Sequence, residues 1–411
     1  MKVALLCKSD TTGGAAVVTL RLMNALRKAG VDARMVVAEK LSDSPFVSVA
    51  STPAKRRRAF LLERLGIFIR NGFNRETLFR IDSGAEGAGV CSDPIVREAD
   101  IICLNWVNQG FVSLADIRKL GKMGKKIVWT MHDMWNMTGI CHHAGRCMRY
   151  RLPDGDCSLC PLLGLSRGRK LSRDTWRRKK RLYADTPIHF MAVSRWLAAL
   201  ARESALMHDA DIRVIPNAFP IGGDFKPHRG EPFRIVFGAA RIDDPVKGHE
   251  TLVEATRLLA RRWPEEAERM ELVTFGNMKD PEALSGIGIK HRHLGVISPA
   301  EIAAVYSGAD AVVSTSEWET LPGTLVEGLA WGCVPVALDH GGQGDIIDDG
   351  KTGRLVPWSD DREKNALGIA EGIIWALRNR ADILDKMRSS VVEKFSEATV
   401  AARYLELFRS L

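Results

Sequence analysis

Two glutamates separated by seven residues form the most informative chemical pattern in this sequence. Glu319 and Glu327 flank a Pro-Gly turn, and the residues after the turn have the composition of a helix. One carboxylate is therefore expected on a loop and the other about one turn into the helix. The N–H groups at a helix start can bind phosphate oxygens, and a carboxylate within the helix can accept the hydroxyls of a ribose. The structural alternative is a negatively charged helix start favoured by the helix dipole.

Two cations precede this pattern in the chain. Arg241 and Lys247 follow a predicted strand at residues 233–238, on a loop rich in Asp and Pro. Open α/β sheets bind ligands at the carboxyl ends of their strands, so both side chains are expected where they could neutralise a diphosphate. Ordinary surface charge is the alternative.

Further candidates occur in the first half of the chain. His132 follows the predicted strand at residues 127–130 and has Asp133 beside it, although a lone histidine is more often structural. Gly13 and Gly14 separate the first predicted strand from the first helix. The G-x-G-x-x-G spacing is absent there, so close approach to a ligand and a tight turn are equally open explanations.

Four of the eight cysteines are concentrated in one short segment: Cys141, Cys147, Cys157 and Cys160. The last pair has the C-x2-C spacing of a zinc hairpin, whereas the gap in the first pair is unusual. Four thiolates could hold one structural Zn²⁺ and would leave no open coordination position for catalysis. Packed free thiols and two disulfides are the alternatives.

A basic segment follows the cysteines. Residues 167–181 contain nine Lys or Arg residues with Trp176 among them. A helix attracted to anionic lipid, with Trp176 at the interface, is the favoured functional interpretation. A groove for single-stranded nucleic acid is less favoured because no nucleic-acid-binding fold surrounds the segment. A solvated helix is the structural alternative.

Composition limits the classes of protein that this chain can represent. Its 411 residues, 45% hydrophobic and 27% charged, predict two or about three globular domains and argue against disorder or a small disulfide scaffold. The net charge of +9 favours an anionic partner. No apolar run reaches the roughly 18 residues of a membrane span, and the first apolar stretch is short for a secretion signal. We therefore expect a cytoplasmic chain with reduced cysteines.

The elements that must position these residues alternate between strands and helices. A strand, the Gly13-Gly14 turn, a helix over residues 15–29 and a second strand form a βαβ unit. A second series of strands and helices begins near residue 233, after a Pro- and Gly-rich linker at residues 216–232. A helical tail is predicted from about residue 381. The fold class is therefore α/β with parallel sheets.

Taken in order and spacing, these motifs resemble those of glycosyltransferase family 4. The resemblance rests on the following segments: Gly13-Gly14-Ala15, Ile215-Pro216-Asn217, Arg241 with Lys247-Gly248, the Glu319–Glu327 pattern, and residues 341–353. Residues 129–135, with the cysteines that follow, are similar to a subgroup that builds bacterial exopolysaccharides such as colanic acid.

The resemblance implies the GT-B fold, in which two Rossmann-like domains face each other and helices cover both faces of each parallel sheet. Residues 1–218 would form the acceptor domain, with a Cys-rich insertion at residues 139–165. Residues 219–390 would form the donor domain. Residues 391–411 would form a helix that packs back on the first domain.

The implied activity is transfer of a sugar, with retention, from a nucleotide-diphosphate donor such as a UDP- or GDP-sugar. The implied acceptor is a polysaccharide or a polyprenyl-diphosphate-linked oligosaccharide at the inner face of the cell membrane, with residues 167–181 touching anionic lipid. No Asp-x-Asp metal signature is apparent, so no catalytic metal is expected, and neither is a nucleic-acid partner.

The resemblance also assigns roles to residues. The implied catalytic residues are His132, Glu319, Arg241 and Lys247. The implied donor contacts are Gly13, Gly14, Arg241, Lys247, Val296, Ile297, Gly323, Thr324, Leu325 and Glu327. Two alternatives remain open at this point: a zinc-containing nucleic-acid-binding protein, and a catalytically silent subunit that binds sugar nucleotides.

Overall fold

The structure is a computed structural model, and it describes residues 1–152, 157–163, 166–221, 228 and 230–411, with only the backbone at 166–169. Its contacts divide the chain into two compact units. The N-terminal unit comprises Met1–Ala218 together with Val400–Leu411, and the C-terminal unit comprises Phe219–Thr399. Part of the predicted linker (222–227 and 229) and part of the Cys-rich insertion (153–156, 164 and 165) lie outside the described residues.

The N-terminal unit is built on a parallel sheet. Within the described residues this sheet has seven strands in the order β3-β2-β1-β4-β5-β6-β7. The strands are β1 (Lys2–Ser9), β2 (Asp32–Glu39), β3 (Val47–Val49), β4 (Ile101–Leu104), β5 (Lys126–Met131), β6 (Ile188–Ala192) and β7 (Ile212–Val214). β1 and β4 bury nearly every residue, as expected of strands in a parallel sheet that helices cover.

Helices connect these strands and cover the sheet. They are α1 (Gly14–Lys28), α2 (Pro53–Arg70), α3 (Pro94–Glu98), α4 (Leu114–Lys122), α5 (Ser166–Asp185) and α6 (Arg195–Arg202). Local sequence signals mark the N-termini of several helices. Thr52 accepts a hydrogen bond from the N–H of Lys55 and so caps α2, while Ser113 and Asp116 form a capping box on α4.

The C-terminal unit contains a second parallel sheet. Its six strands, counted over the described residues, follow the order β10-β9-β8-β11-β12-β13. The strands are β8 (Phe233–Arg241), β9 (Met270–Asn277), β10 (Lys290–His293), β11 (Ala311–Ser314), β12 (Val334–Asp339) and β13 (Arg354–Pro357). The helices are α7 (His249–Arg262), α8 (Pro264–Glu268), α9 (Pro299–Ser307), α10 (Gly323–Ala330), α11 (Gln343–Ile346) and α12 (Arg362–Phe395).

The last helix, α13 (Glu397–Ser410), contributes to the core of the N-terminal unit. Tyr404, Leu407 and Phe408 are buried in that core, and the hydroxyl groups of Tyr404 and Thr130 lie 3.1 Å apart. The helical tail begins earlier than the sequence predicted, because α12 starts at Arg362.

The α/β architecture with two parallel sheets confirms the predicted fold class. Because all strands of a sheet run in one direction, their carboxyl ends share one edge, where loops can carry functional side chains. No helix in the part of the chain that the structure describes has the length and apolar character needed to cross a membrane.

Candidate active site

The carboxyl edge of the C-terminal unit holds Lys247 on a short, well-anchored turn. The turn (Pro245–Lys247) follows β8 and ends at Gly248, whose φ is +66°. A Cβ at this position would lie 2.2 Å from the carbonyl oxygen of Thr315, so only glycine fits. The hydroxyl of Thr315 donates to the carbonyls of Lys247 and Gly248, at 2.9 Å each. The end of β11 therefore fixes the backbone that carries Lys247.

Lys247 and Glu319, two of the predicted catalytic residues, form an ion pair between Nζ and Oε1. Glu319 is itself held in place, because its carbonyl accepts the N–H of Gly342 at 2.8 Å and its backbone pairs with Gly341. Both side chains are partly exposed. The structure thus brings a cation and a carboxylate together where the ends of β8, β11 and β12 converge.

Arg241, at the end of β8, is surrounded by carboxylates. Its Nε lies 3.4 Å from Asp243 Oδ1, and its Nη2 lies 3.8 Å from Asp244 Oδ2. The Arg241 side chain as a whole is 37% exposed, although its Nε is buried. The pair with Asp244 is exposed on both sides and is worth at most about 1 kcal/mol, so a diphosphate could displace this carboxylate.

The start of α10 lies beside this loop at the same edge. Pro322 precedes the helix and no side chain caps it, so the first N–H groups of the helix lack an intrahelical acceptor. Gly323 and Thr324 are partly exposed there. Leu325 differs from the prediction, because its side chain is fully buried and its N–H donates to the carbonyl of Pro322 at 3.2 Å.

Glu327 lies within α10 and is half-buried. Burial, together with the charge of Glu327, raises the pKa of Tyr306. Val296 and Ile297 follow β10 at the same edge of the sheet, two strands from β8, and the side chain of Val296 is 77% exposed. The predicted donor contacts of this unit therefore lie on one edge, together with Glu319, which pairs directly with Lys247.

In the N-terminal unit, Gly13 and Gly14 lie where β1 leads into α1. Gly13 has a φ of +87°, which favours glycine, and no side chain caps the helix. A Cβ added at Gly14 would meet no atom of the described residues within 4 Å. Packing within this unit therefore does not require Gly14, and the start of α1 is open to solvent.

His132 follows β5 and is oriented by Asn105, which follows β4. The side-chain N–H of Asn105 donates to the carbonyl of Cys103 at 3.3 Å, so its Oδ1 is the atom that lies 3.1 Å from His132 Nε2. An amide oxygen only accepts hydrogen bonds, so Nε2 of His132 carries the proton. Loss of hydration lowers the pKa of His132 to about 4. His132 is therefore a neutral imidazole whose tautomer Asn105 selects.

Asp133, next in the chain, joins a second buried network. Its carboxylate accepts from the indole N–H of Trp106 at 2.9 Å, from the backbone N–H of Trp135 at 2.8 Å and from His142 Nδ1 at 2.7 Å. Burial acts to raise the pKa of Asp133, but the interactions with His142, His143 and the backbone N–H of Trp135 together outweigh it and lower the pKa to about 2. Asp133 is therefore an anion that fixes the turn after His132.

Sequence reasoning missed Asn105, Trp106 and the role of His142. A signal for the first two was present, because both directly follow the predicted strand at residues 101–104, at the edge where ligands bind. In the sequence, His142 is only a neighbour of the clustered cysteines. Its contact with Asp133 depends on the path of residues 133–142, which the sequence pattern does not reveal.

The basic segment has a structural role, and the structure corrects the expected position of Trp176 at a lipid interface. Trp176 is only 6% exposed and Lys179 is fully buried on α5, so the tryptophan is not placed to enter lipid. The side-chain nitrogen of Lys179 donates to the carbonyls of Trp135 and Thr138. Tyr183, one turn further along α5, donates to the carbonyl of Asn136 at 2.9 Å. The buried face of α5 therefore supports the loop that follows His132.

The four clustered cysteines are free thiols in the structure. Cys141 and Cys160 pack in an apolar cluster with Ile81 and Leu163, and burial raises the pKa of Cys141 to about 12. The described residues, which include all four cysteines, contain no group of three or more His, Cys, Asp or Glu side chains arranged to hold a metal. The structural zinc expected from the cysteine spacing therefore stays a prediction.

Comparison with known proteins finds relatives by sequence and by fold. HepE from Anabaena, solved with UDP and glucose, matches with a TM-score of 0.63 and 16% identity over 100% of both chains. The phosphatidyl-myo-inositol mannosyltransferase of Mycobacterium tuberculosis (strain CDC 1551 / Oshkosh) is 26% identical over 215 residues, 49% of this chain and 55% of its own. The putative colanic acid biosynthesis glycosyl transferase WcaC of Escherichia coli (strain K12) is 23% identical over 343 residues, 80% of each chain.

The two parallel sheets are those of the GT-B fold, as the structural match shows. The model of "Glycosyltransferase Family 4" matches residues 12–221, and that of "Glycosyl transferases group 1" matches residues 224–394. The chain belongs to glycosyltransferase family 4, which confirms the resemblance inferred from its motifs. It spans about half the length of the mycobacterial mannosyltransferase that it matches.

Proposed function

We propose that this protein transfers a sugar from a nucleotide-diphosphate donor to a glycan acceptor. The observation that carries the proposal is the set of charges at the carboxyl edge of the C-terminal unit. Lys247, Arg241 and the uncapped start of α10 lie on loops that follow neighbouring strands, with Glu319 paired to Lys247. Two cations and a helix start are the groups that a diphosphate requires.

In this proposal each cation exchanges its carboxylate partner for a phosphate. Arg241 leaves Asp243 and Asp244, and the ammonium of Lys247 turns from Glu319 toward the diphosphate. Glu319 is then available to accept hydroxyl groups of the transferred sugar. Charge on the leaving diphosphate grows as the glycosidic bond breaks, so the cations stabilise the transition state more than the bound donor.

The N-terminal unit would contribute His132 as a neutral, oriented imidazole and the open start of α1 beside Gly13. We further propose that transfer proceeds with retention and without a catalytic metal. The similarity to WcaC and the relatives' names support a polysaccharide or lipid-linked acceptor. The buried Trp176 argues against the nucleic-acid-binding alternative, since that side chain is not available for base stacking.

The test is thermal stabilisation by UDP, GDP and their sugars, because a bound donor raises the melting temperature by mass action. A donor that stabilises the wild type should stabilise Glu327→Ala less, with affinity about 10-fold weaker, because the ribose contact is lost. The control is Glu363→Ala, which removes an exposed carboxylate from the first turn of α12. The proposal fails if no nucleotide or nucleotide sugar stabilises the wild type.

Release of UDP or GDP with acceptor present separates an enzyme from a silent binding subunit.

A further inference from the structure

Three aromatic rings form a stack at the carboxyl edge of the C-terminal unit that the proposed donor contacts do not use. The rings of His340 and Trp358 are nearly parallel, 4.0 Å apart with an interplanar angle of 11°. Trp318 packs on His340 at 4.4 Å and 51°. They follow three neighbouring strands, β11, β12 and β13, and all three are half-buried rather than part of the core.

The stack is continuous with the proposed catalytic site. Trp318 precedes Glu319, and His340 precedes Gly341, the residue that pairs with the backbone of Glu319. Lys247 reaches Glu319 from the end of β8, whereas Trp358 lies at the end of β13. Along this edge the order is therefore cation, carboxylate and aromatic stack.

Two polar atoms of the stack lack a hydrogen-bond partner within the described part of the chain. They are His340 Nδ1 and Trp358 Nε1, both buried. A buried polar group without a partner costs about 1–3 kcal/mol, so a purely structural cluster would be expected to satisfy them. Half-buried aromatic rings next to a carboxylate, with unpaired nitrogen atoms on His340 and Trp358, are typical of a ligand site.

We infer that the Trp318–His340–Trp358 stack is a carbohydrate subsite that binds a pyranose ring beside Glu319. A pyranose ring presents a face of C–H bonds that packs on the electron-rich face of an aromatic ring, while its hydroxyl groups point outward to polar partners. Glu319 supplies such a partner. The inference rests on the proposed function only for the identity of the sugar, which is either the one carried by the nucleotide or one of a separate saccharide.

Saturation-transfer NMR and calorimetry on the full chain distinguish these two sources. The probes are UDP, UDP-glucose, GDP, GDP-mannose and free methyl α-glucopyranoside and methyl α-mannopyranoside, with wild type, Trp318→Leu and Trp358→Leu. If the stack holds the donor's sugar, both substitutions reduce by about 3- to 10-fold the affinity that the sugar adds to the nucleoside diphosphate. If it holds a separate saccharide, donor affinities are unchanged, and saturation transfer to the free glycoside is reduced by a similar factor.

Matched variants exclude a general loss of structure. Trp375→Leu removes a half-buried ring of the same unit that contacts Arg354 instead, and it should leave both measurements unchanged. Trp318→Phe keeps an aromatic face and should retain most of the binding. The inference is overturned if the wild type transfers no saturation to any pyranose, or if the stack variants behave like Trp375→Leu. Binding of UDP or GDP in that case would leave the diphosphate site intact, so the two failures are distinguishable.

Discussion

The loops at the carboxyl ends of the strands hold their side chains in different ways in the two parallel sheets. His132 and Asp133 are enclosed in a hydrogen-bond network in which neighbouring side chains set orientation and protonation. Arg241 and Lys247 are instead partly exposed and paired with carboxylates on loops. The first arrangement holds a neutral group in one position. The second leaves charged groups able to change partners, as the proposed binding of a charged donor requires.

The largest effect is expected when the cation Lys247 is removed from the C-terminal edge. Lys247→Ala should lower turnover by roughly 10²-fold or more, since charge stabilisation of the leaving diphosphate is lost. Turnover is measured as release of UDP or GDP from the donor that stabilises the protein. Lys290→Ala is the matched control, because that lysine also lies near a glutamate, Glu271, but at the start of β10. Equal turnover in folded Lys247→Ala and Lys290→Ala would contradict the role of Lys247.

At the N-terminal edge, we expect a substitution to act through the protonation state of His132. In Asn105→Asp a carboxylate replaces the amide oxygen beside His132 Nε2 and favours the imidazolium, so the pKa of His132 rises from about 4. If the neutral ring is the active form, turnover of this variant should fall about 10-fold as the pH drops from 8 to 6, relative to wild type. The measurements are the pH profile of turnover and an NMR titration of His132.

Asn105→Ala serves as the control for this experiment. It removes the acceptor of the His132 proton without adding charge, so its turnover should decrease by a factor that does not depend on pH. A profile of Asn105→Asp that runs parallel to that of wild type would show that Asn105 does not act through the protonation state of His132.

Much of the fold and of the C-terminal edge could be predicted from the sequence, because the relevant signals are local. Apolar strands followed by loops place Arg241, Lys247 and Glu319 at strand ends, and the ion pair follows from the parallel order of β8 and β11. The short edge strand β13 was not predicted as a strand, because its sequence, Arg-Leu-Val-Pro, lacks the continuous apolar run of the buried strands.

The network around His132 could not be predicted in the same way. It depends on contacts between residues far apart in the chain, such as Trp106 with Asp133 and Lys179 with Trp135. The basic composition of α5 indicated a surface helix, but burial is decided by which face of the helix packs. Lys179 and Trp176 lie on the packed face, and a charge pattern alone does not identify that face.

The smallest effect is expected at Lys179, and it concerns stability rather than turnover. Burial lowers the pKa of Lys179 to about 7, from the ordinary lysine value of 10.5. Between pH 7 and 10.5 the unfolded chain binds a proton that the folded chain does not, so this residue makes the free energy of unfolding rise with pH. The slope is at most about 1.4 kcal/mol per pH unit. Lys179→Met should remove it, whereas Lys180→Met, on the exposed face of α5, should not.

The measurement is urea unfolding of wild type and both variants at several pH values from 7.5 to about 9.5. Buried thiols such as Cys141 titrate in the same range with the opposite sign, because their pKa is raised in the folded chain. The quantity to compare is therefore the difference between wild type and variant, in which the thiol contributions largely cancel. A difference that stays constant with pH would mean that Lys179 keeps its proton in the folded protein. The N-terminal edge would then contain a buried ammonium ion. In that case both edges would carry cations, and they would differ only in whether those cations are exposed to solvent.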